Sequence, residues 1–297
     1  MTRNSYILLI VLAALVVVAY LVMQKPGERS SSGEGGEYLV AVDSLSVDQI
    51  EIKVSTGRVA FQKKGVEWFV EAPVSYRADQ ANIASLIHSA KSLRIDNIVS
   101  DKPEKHSVFQ VDSTGTIVRM LQNGKEKATF ILGKPGSSFT EMYARRAASN
   151  DVALVSGASS YMFNRPLKDW RDRIIFATPK ESIHEVRFQY GDTTFVLAQK
   201  DSVWTIGSEK AQAAIVTTLL SSLSSVEADD FVDTLSPSPA KPTAQITLAG
   251  TQLTFFLVKG NDKYLVQSSS TPQWFEMLNW RANQILMRKK EILKSGI

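Results

Sequence analysis

The chain has 297 residues, 44% of them hydrophobic, and a formal net charge of +4 from 34 basic and 30 acidic side chains. This hydrophobic content is typical of a globular protein, and no long basic block of the kind that binds nucleic acid occurs, so we expect no nucleic-acid partner. Cysteine is absent, which excludes disulfides, thiol catalysis and thiolate metal sites and suits an oxidising compartment.

The first predicted element is an apolar helix near the N-terminus. Residues 5–23, SYILLIVLAALVVVAYLVM, contain no charged side chain. At about 1.5 Å per residue, a helix of this length spans roughly the ~30 Å hydrocarbon core of a bilayer. A cleaved signal peptide is the competing hypothesis, but the run ends in the bulky residues Tyr20, Leu21, Val22 and Met23 rather than in a small-x-small cleavage site. We therefore predict an uncleaved, single-pass transmembrane anchor.

The residues that flank this anchor carry nearly balanced positive charge. Arg3 and the amino terminus lie on one side, and Lys25 and Arg29 lie on the other, so the positive-inside rule gives little orientation. Because cysteine is missing, we expect the C-terminal domain to lie outside the inner (cytoplasmic) membrane, in the periplasm. Residues 24–37, QKPGERSSSGEGGE, lack hydrophobic periodicity and predict a flexible linker.

The remainder of the chain indicates two copies of one plan, residues 38–178 and residues 179–297. Each copy begins with runs of alternating hydrophobicity separated by turn residues, a pattern typical of antiparallel strands. A tryptophan falls at the matching place in each copy, Trp68 in the first and Trp204 in the second.

A helix is predicted after the first strands of each copy. Apolar residues recur there at steps of three and four, which favours a helix with one buried face, and Asp79 is a candidate N-cap of the first. One constant shift along the chain superimposes the two stripes and the tail that follows them. The stripes are Ile83, Leu86, Ile87, Ala90 and Leu93, matched by Val216, Leu219, Leu220, Leu223 and Val226.

More alternating strands follow in both copies. Asn123-Gly124 and Ala249-Gly250 predict the tight turns between them, and VALVSG (152–157) is matched with KYLVQS (263–268) as a further strand. We therefore predict an α+β fold. It contains two tandem repeats of antiparallel β-hairpins plus helices, behind the single N-terminal transmembrane helix.

Each copy is predicted to close with a helix, LKDWRDRIIF (167–176) in the first and MLNWRANQIL (277–286) in the second. When the tryptophans are overlaid, the Trp-Arg pair and a later apolar pair recur, whereas Asp169 and Asp172 face Asn279 and Ala282. An acid–base site needs its carboxylates, so the recurrence favours packing, and a site retained in one copy alone is the alternative. The predicted structural signature of the repeat consists of Trp68, Trp204, Trp170, Arg171, Trp280 and Arg281.

Four stretches carry a resemblance to a known family. They are WFVEAPVSYRADQANIASLI (68–87), ILGKPGSSFTEMYARR (131–146), VALVSG (152–157) and LKDWRDRIIF. Over most of residues 38–297 the chain resembles the bacterial domain-of-unknown-function family 4340, a group of membrane-anchored envelope proteins. The resemblance implies an accessory component encoded beside ABC-type transporters, including auxiliary proteins of gliding-motility systems, and it assigns no catalytic residue.

One departure from the family pattern and one basic segment stand out. The family usually has a Gly-Leu pair after an aromatic residue in the middle of the repeat, where this chain has Phe109-Gln110-Val111.

A last helix is predicted after Thr271-Pro272, and it ends in a basic cluster of Arg288, Lys289, Lys290 and Lys294. Cations stabilise a helix C-terminus, which is one explanation of the cluster. The alternative is that the cluster contacts anionic lipid or an acidic partner.

Other candidates for chemistry lack the required spacing. His88, His106 and His184 form no metal-binding pair, Gly133-Lys134 lacks the rest of a phosphate-binding loop, and Ser238 and Lys241 lie among prolines rather than on one helical turn. We therefore predict no catalytic, cofactor-binding or metal-binding residue and no enzymatic activity.

The function predicted from these features is that of a membrane-anchored extracytoplasmic accessory or scaffold protein of an ABC-type envelope transport system. Its expected partners are the inner membrane and other protein subunits of a membrane complex. The alternative is an extracytoplasmic ligand-binding or cell-wall-active protein with its site between the two repeats, because domain junctions often form binding sites.

Overall fold

The structure is a computed structural model and describes residues 36–43, 46–191, 193–234, 241–260 and 262–293. The predicted anchor at residues 5–23 and nearly all of the predicted linker lie outside these ranges. Within them, none of the helices combines the length and the hydrophobicity that crossing a membrane requires.

The first half of the chain forms a nine-stranded antiparallel sheet. Its strands are β1 (Gln49–Val54), β2 (Gly57–Lys64), β3 (Glu67–Ala72), β4 (Tyr76–Arg77), β5 (Arg94–Ser100), β6 (Thr116–Gln122), β7 (Lys125–Pro135), β8 (Met142–Arg146) and β9 (Val152–Ser156). They lie in the order β4-β3-β2-β1-β6-β7-β8-β9-β5. Alternate residues of β1 point into the core because side chains alternate across a strand, so Ile50 and Ile52 are buried whereas Lys53 is exposed.

The second half forms another nine-stranded antiparallel sheet and a small two-stranded one. The strands are β10 (Ile174–Ala177), β11 (Glu185–Tyr190), β12 (Thr193–Lys200), β13 (Val203–Ile206), β14 (Glu209–Lys210), β15 (Ser225–Glu227), β16 (Asp230–Val232), β17 (Ala244–Leu248), β18 (Thr251–Val258), β19 (Lys263–Ser268) and β20 (Trp274–Leu278). The large sheet has the order β14-β13-β12-β11-β17-β18-β19-β20-β16, and β10 pairs with β15. The two large sheets therefore share one strand order.

Helices are few and mostly short in the part of the chain that the structure describes. They are α1 (Gln80–Ser92), α2 (His106–Phe109), α3 (Leu167–Trp170), α4 (Ala213–Ser224), α5 (Asn279–Ala282) and α6 (Lys289–Leu293), with 3₁₀ turns at Pro103–Lys105, Ser160–Phe163 and Lys180–Ser182. The protein is thus mostly β-sheet with a few helices, an α+β-like arrangement with two antiparallel sheets. That much of the predicted fold class is confirmed.

The two long helices cover the inner faces of the sheets. Asp79 caps α1, accepting a hydrogen bond from the backbone N–H of Asn82 at 2.9 Å, and satisfies a donor that the helix leaves free. The buried side chains of α1 pack against the inner residues of the first sheet, and those of α4 pack against the second, so each half has its own hydrophobic core. The predicted stripes lie in these cores, although Val226 is in β15 rather than in α4.

The predicted turns at Asn123-Gly124 and Ala249-Gly250 are confirmed. Each pair joins two neighbouring strands, β6 to β7 and β17 to β18, and both residues of each pair have positive φ. Tight hairpins favour this left-handed backbone because its twist matches that of the flanking strands.

Two predictions about the later strands are wrong. The sheet order places β19 where the first half has β8, and β20 where it has β9, so KYLVQS corresponds to residues 142–146 and not to VALVSG. The segment after Thr271-Pro272 is β20 rather than the start of a helix. Phe275 and Met277 alternate into the core there, and tertiary pairing with β19 and β16 decides the conformation.

The closing helices are single turns, and the overlay of Trp170 on Trp280 is wrong. The Trp170 side chain is 1% exposed, whereas Trp280 is 57% exposed. The carbonyl of Trp170 accepts a hydrogen bond from the N–H of Asp79 at 2.9 Å, and the carbonyl of Ile292 accepts one from Gln212 at 3.1 Å. Because Asp79 and Gln212 are the N-cap residues of α1 and α4, the buried Ile292 occupies the place of Trp170.

The other tryptophans of the predicted signature lie in matching strands. Trp68 in β3 accepts a hydrogen bond at its carbonyl from the N–H of Ala78 at 3.0 Å. Trp204 in β13 accepts the same bond from Ala211 at 2.8 Å. Both tryptophans contact the core of their own half, Trp68 fully buried and Trp204 half-buried.

Candidate functional site

Residues 167–176, LKDWRDRIIF, connect the two halves, and we call them the connector. The backbone N–H of Asp172 donates to the carbonyl of Arg77 in the first half at 3.0 Å. One residue later, the carbonyl of Arg173 accepts from Ala228 in the second half at 2.8 Å, and β10 then pairs with β15. The connector is therefore hydrogen-bonded to both halves.

Side chains of the connector enter both hydrophobic cores. Trp170 lies in the first core and packs edge-on against Phe61, with 5.1 Å between ring centroids. Ile175 and Phe176 lie in the second core, although they precede the predicted boundary at residue 178. A chain segment anchored in two cores resists separation of the halves, because moving either half exposes apolar surface.

Arg171 lies between the two halves and is the centre of the junction. Its side chain is only 1% exposed. Nη1 donates to Oδ1 and Oδ2 of Asp233 at 2.8 and 3.0 Å, and Nη2 donates to Oε1 of Gln273 at 3.1 Å. A buried guanidinium requires such partners, because an uncompensated charge inside a protein is costly.

Aromatic rings from opposite halves contact this guanidinium and also contact each other. Its carbon lies 3.8 Å from the ring centroid of Phe231 and 4.8 Å from that of Tyr76, and the two ring centroids are 5.2 Å apart. Burial, followed by the negative charge of Asp172, raises the pKa of the Tyr76 hydroxyl above its usual value, which keeps the ring neutral. This part of the junction is filled by side chains and held by cation–π contacts.

More exposed ion pairs surround the buried contact. Arg77 donates to Glu67 at 2.8 Å and to Asp172 at 2.5 Å, and the hydrogen bond to Glu67 is the main cause that raises the pKa of Arg77. Lys168 contacts Asp230 across the junction at 3.1 Å. Each of these carboxylates contacts a cation, with Glu67 and Asp172 sharing Arg77, so the ion pairs help to fix the two halves.

A second candidate site is a cavity of about 590 Å³ in the first half, which we call the first-half cavity. Its volume lies within the range of roughly 300–1,000 Å³ that is usual for small-molecule sites. The apolar residues of its lining, which we call the floor, comprise the partly exposed Val54, Val59 and Leu167 and the buried Ile52, Leu132, Phe163 and Trp170. Polar side chains of Ser55, Thr56, Thr114, Asn164 and Arg165 also line it.

The wall formed by residues 110–116 is tightly built. A Cβ atom added to Gly133 would collide with the carbonyl oxygen of Phe109, and one added to Gly115 would collide with that of Gln110. Gln110 ends α2 with φ +57°, a left-handed conformation that favours glycine. Gln110 therefore keeps this turn at a cost in backbone strain.

Arg165 is the unpaired cation of this cavity. Nη1 donates to Oδ1 of Asn82 at 2.8 Å, and Nη2 contacts the sulfur of Met162 at 3.2 Å. Its Nε is buried and hydrogen-bonds to no residue in the part of the chain that the structure describes. Within that same part, no carboxylate forms an ion pair with Arg165, and none lines the cavity.

The histidines and the short motifs are not brought together. His88 is exposed on α1, Nε2 of His106 lies 3.0 Å from the carbonyl of Asn150, and Nδ1 of His184 lies 3.4 Å from Oε1 of Gln199. Lys134 lies in β7 with its ammonium 5.1 Å from the Phe109 ring centroid. Within the described ranges, no three His, Cys, Asp or Glu side chains are grouped closely enough to hold a metal ion.

Of the predicted signature residues, only Arg171 lies at the junction. Arg281 is local to the second half, where it pairs with Asp229 at 3.1 Å. Sequence reasoning missed Asp233, Gln273 and Arg165. Arg165 lies five residues before Trp170, as Met287 lies five before Ile292, so the cation occurs in one copy only and a search for recurring residues passes over it.

Comparison with known proteins gives a single family. The family model described as Domain of unknown function (DUF4340) matches residues 68–249, which include the connector and most of both sheets. No curated protein and no solved structure gives a significant match to the chain.

Proposed function

The chain belongs to the DUF4340 family, and on that premise we propose that it is a membrane-anchored extracytoplasmic accessory subunit, or scaffold, of an ABC-type envelope transport system. In this proposal residues 5–23 form the anchor in the inner membrane and residues 24–37 form the tether. The two halves form a rigid body that binds other subunits of the complex, with no cofactor and no catalytic step.

The observation that carries the proposal is the buried Arg171 at the junction. A two-lobed binding protein that closes on its ligand needs lobes that move about a hinge. Here the guanidinium binds Asp233 and Gln273, contacts one ring from each half, and belongs to a connector that is hydrogen-bonded to both halves. Such contacts favour one rigid body, which is what a scaffold requires.

The path of the chain into the first half also supports the proposal. The N–H of Leu39 donates to Leu93 at 2.8 Å, and the N–H of Ile95 donates to Glu37 at 2.7 Å. The guanidinium of Arg146 binds the carbonyls of Tyr38 and Leu39 at 2.8 and 3.0 Å. The end of the tether is thus fixed to the first sheet, which would hold the first half nearest to the membrane.

Purification of the full chain from membranes tests this function. A C-terminally tagged chain is extracted with mild detergent after cross-linking in cells, and a chain that lacks residues 5–23 is the matched control. We expect the full chain to fractionate with the inner membrane and to recover subunits of an ABC-type transporter, and the control to recover far less. A full chain that is freely soluble without processing, or that recovers no transporter subunit, contradicts the proposal.

Sidedness has its own test. Fusion of a periplasm-dependent phosphatase to the C-terminus should give an active enzyme, whereas a fluorescent protein that folds only in the cytoplasm should stay dark at the same position. The reverse result excludes an extracytoplasmic domain.

The alternative function, ligand binding or cell-wall activity in a cleft between the repeats, has less support. Side chains of Tyr76, Arg171 and Phe231 occupy the centre of the junction, and its carboxylates are paired with cations. The cavity described above lies within the first half instead.

A further inference from the structure

The two halves differ at one matching position. Val54 ends β1 in the first half, and Tyr190 ends β11 in the second. The Tyr190 ring is buried, its hydroxyl donates to the carbonyl of Met287 at 2.8 Å, and the guanidinium of Arg288 lies 3.7 Å from its ring centroid. The second half therefore fills this position with an aromatic side chain, whereas the smaller Val54 lines the open first-half cavity.

The charge of the first-half cavity favours an anion. Arg58 and Arg165 are the charged residues that line it, and Arg58 is neutralised by Glu51 at 2.6 Å. Arg165 also lines the cavity, and in the described ranges it has no carboxylate partner. A planar guanidinium without a carboxylate partner suits a carboxylate or a phosphate, which accept charge-assisted hydrogen bonds from arginine.

The floor of the cavity favours an apolar body next to that charge. Val54, Val59 and Leu167 are partly exposed and contribute aliphatic surface. The hydroxyl of Thr116, which also lines the cavity, donates to Oδ1 of Asn164 at 2.9 Å, so this donor is already used. Polar ligands without an apolar part would leave this surface in contact with water and gain little from the site.

We propose that the first-half cavity binds a small amphipathic anion, with an apolar body on the floor and a single carboxylate or phosphate headgroup paired with Arg165. The second copy has no matching opening at this position, because the Tyr190 side chain fills it. The inference does not depend on the transporter-associated function, because ligand binding and recovery of partner subunits are measured separately.

Calorimetric titration of the full chain in lipid nanodiscs tests the site. The probe is octanoate, with octanol and octylamine as charge controls and octyl phosphate to compare the two headgroups. Val54→Tyr copies the second half into the first and is the matched control, because the same lipid surrounds it. We expect saturable octanoate binding to the natural chain, and binding to Val54→Tyr weakened at least about tenfold because the ring occupies the cavity.

Arg165 is tested in the same assay. Arg165→Met should weaken octanoate binding about tenfold or more, leave octanol binding nearly unchanged, and be partly rescued in Arg165→Lys, which keeps the charge. Tighter binding of octanoate than of octyl phosphate identifies a carboxylate ligand, and the reverse identifies a phosphate. If Val54→Tyr does not fold, Leu167→Phe fills the cavity from another wall.

Three results would overturn the inference. They are no saturable octanoate binding to the natural chain, equal binding to the natural chain and to the cavity-filled variant, and equal preference for octanol and octanoate irrespective of Arg165.

Discussion

Replacement of Arg171 by methionine is the most direct test of the junction. Methionine keeps much of the apolar contact with the rings of Tyr76 and Phe231 but removes the hydrogen bonds to Asp233 and Gln273. Breaking a fully buried ion pair by removing one partner costs about 3–5 kcal/mol. The Asp233 side chain is 36% exposed and can be hydrated once it is alone, so we expect a loss of about 2–3 kcal/mol.

The opposite change gives the stronger prediction. Asp233→Ala leaves the cation of Arg171 in place, 1% exposed and without its carboxylate. An unpaired charge that is buried costs more free energy than one that is partly exposed. This variant should therefore lose about 3–4 kcal/mol of its free energy of unfolding, more than Arg171→Met. The order of the two losses, rather than either value, is the critical quantity.

Urea unfolding of the full chain, followed by circular dichroism and tryptophan fluorescence, measures both losses. Arg281→Met is the matched control. Arg281 pairs with Asp229 inside the second half and its side chain is 29% exposed, so its loss should cost about 1 kcal/mol or less. Limited proteolysis within the connector should accelerate in the two junction variants and not in the control. Equal stability of Arg171→Met and the natural chain, or a smaller loss in Asp233→Ala than in Arg171→Met, refutes this account of the junction.

Three further predictions concern single positions. Ala249 has φ +45°, and Ala249→Asn copies the Asn-Gly turn of the first half. This variant should raise the free energy of unfolding, measured in urea, by about 0.5–1 kcal/mol. An unchanged urea midpoint would contradict the turn assignment. Gln110→Gly should stabilise the chain by up to about 1 kcal/mol in the same assay, because glycine adopts φ +57° without strain, and a loss would show that the side chain is needed. Burial raises the pKa of Tyr190, so the folded state holds this proton more tightly than the unfolded state. The free energy of unfolding should be unaffected below the ordinary tyrosine pKa of about 10 and should fall as the pH rises above it. Tyr190→Phe should cost about 1 kcal/mol at neutral pH through the lost bond to Met287 and should weaken the alkaline fall, which thermal unfolding across pH 8–11 measures.

Local patterns of the sequence were sufficient for the elements whose conformation is decided locally. The stripe of α1 with its Asp79 cap, and the turn at Asn123-Gly124, depend on spacing and backbone preference, and both are confirmed. The segment 274–278 is a strand rather than the predicted helix because its conformation is decided by pairing with β19 and with β16, and β16 is distant in sequence.

The candidate sites are harder to predict from the sequence, because a dipeptide that occurs in both copies need not have the same environment in both. The Trp-Arg dipeptide occurs at Trp170 and at Trp280, yet one tryptophan is in a core and the other faces solvent. Trp170 ends α3 and packs in the first core, whereas Trp280 lies in α5 directly after β20. Arg165 occurs in one copy only, and its place in the cavity depends on the fold rather than on a recurring pattern.

The hydrogen bonds from Arg146 to residues 38 and 39 determine where a pulling force would act on the folded domain. If residues 5–23 hold the protein in a bilayer as proposed, tension on the tether reaches the backbone at Glu37 to Leu39. There it is resisted by two main-chain hydrogen bonds beside β5 and by the guanidinium of Arg146. A pulling force would therefore separate the entering chain from the edge of the first sheet before it acted on the second half. The hydrogen bonds of Arg146 would be among the first to break.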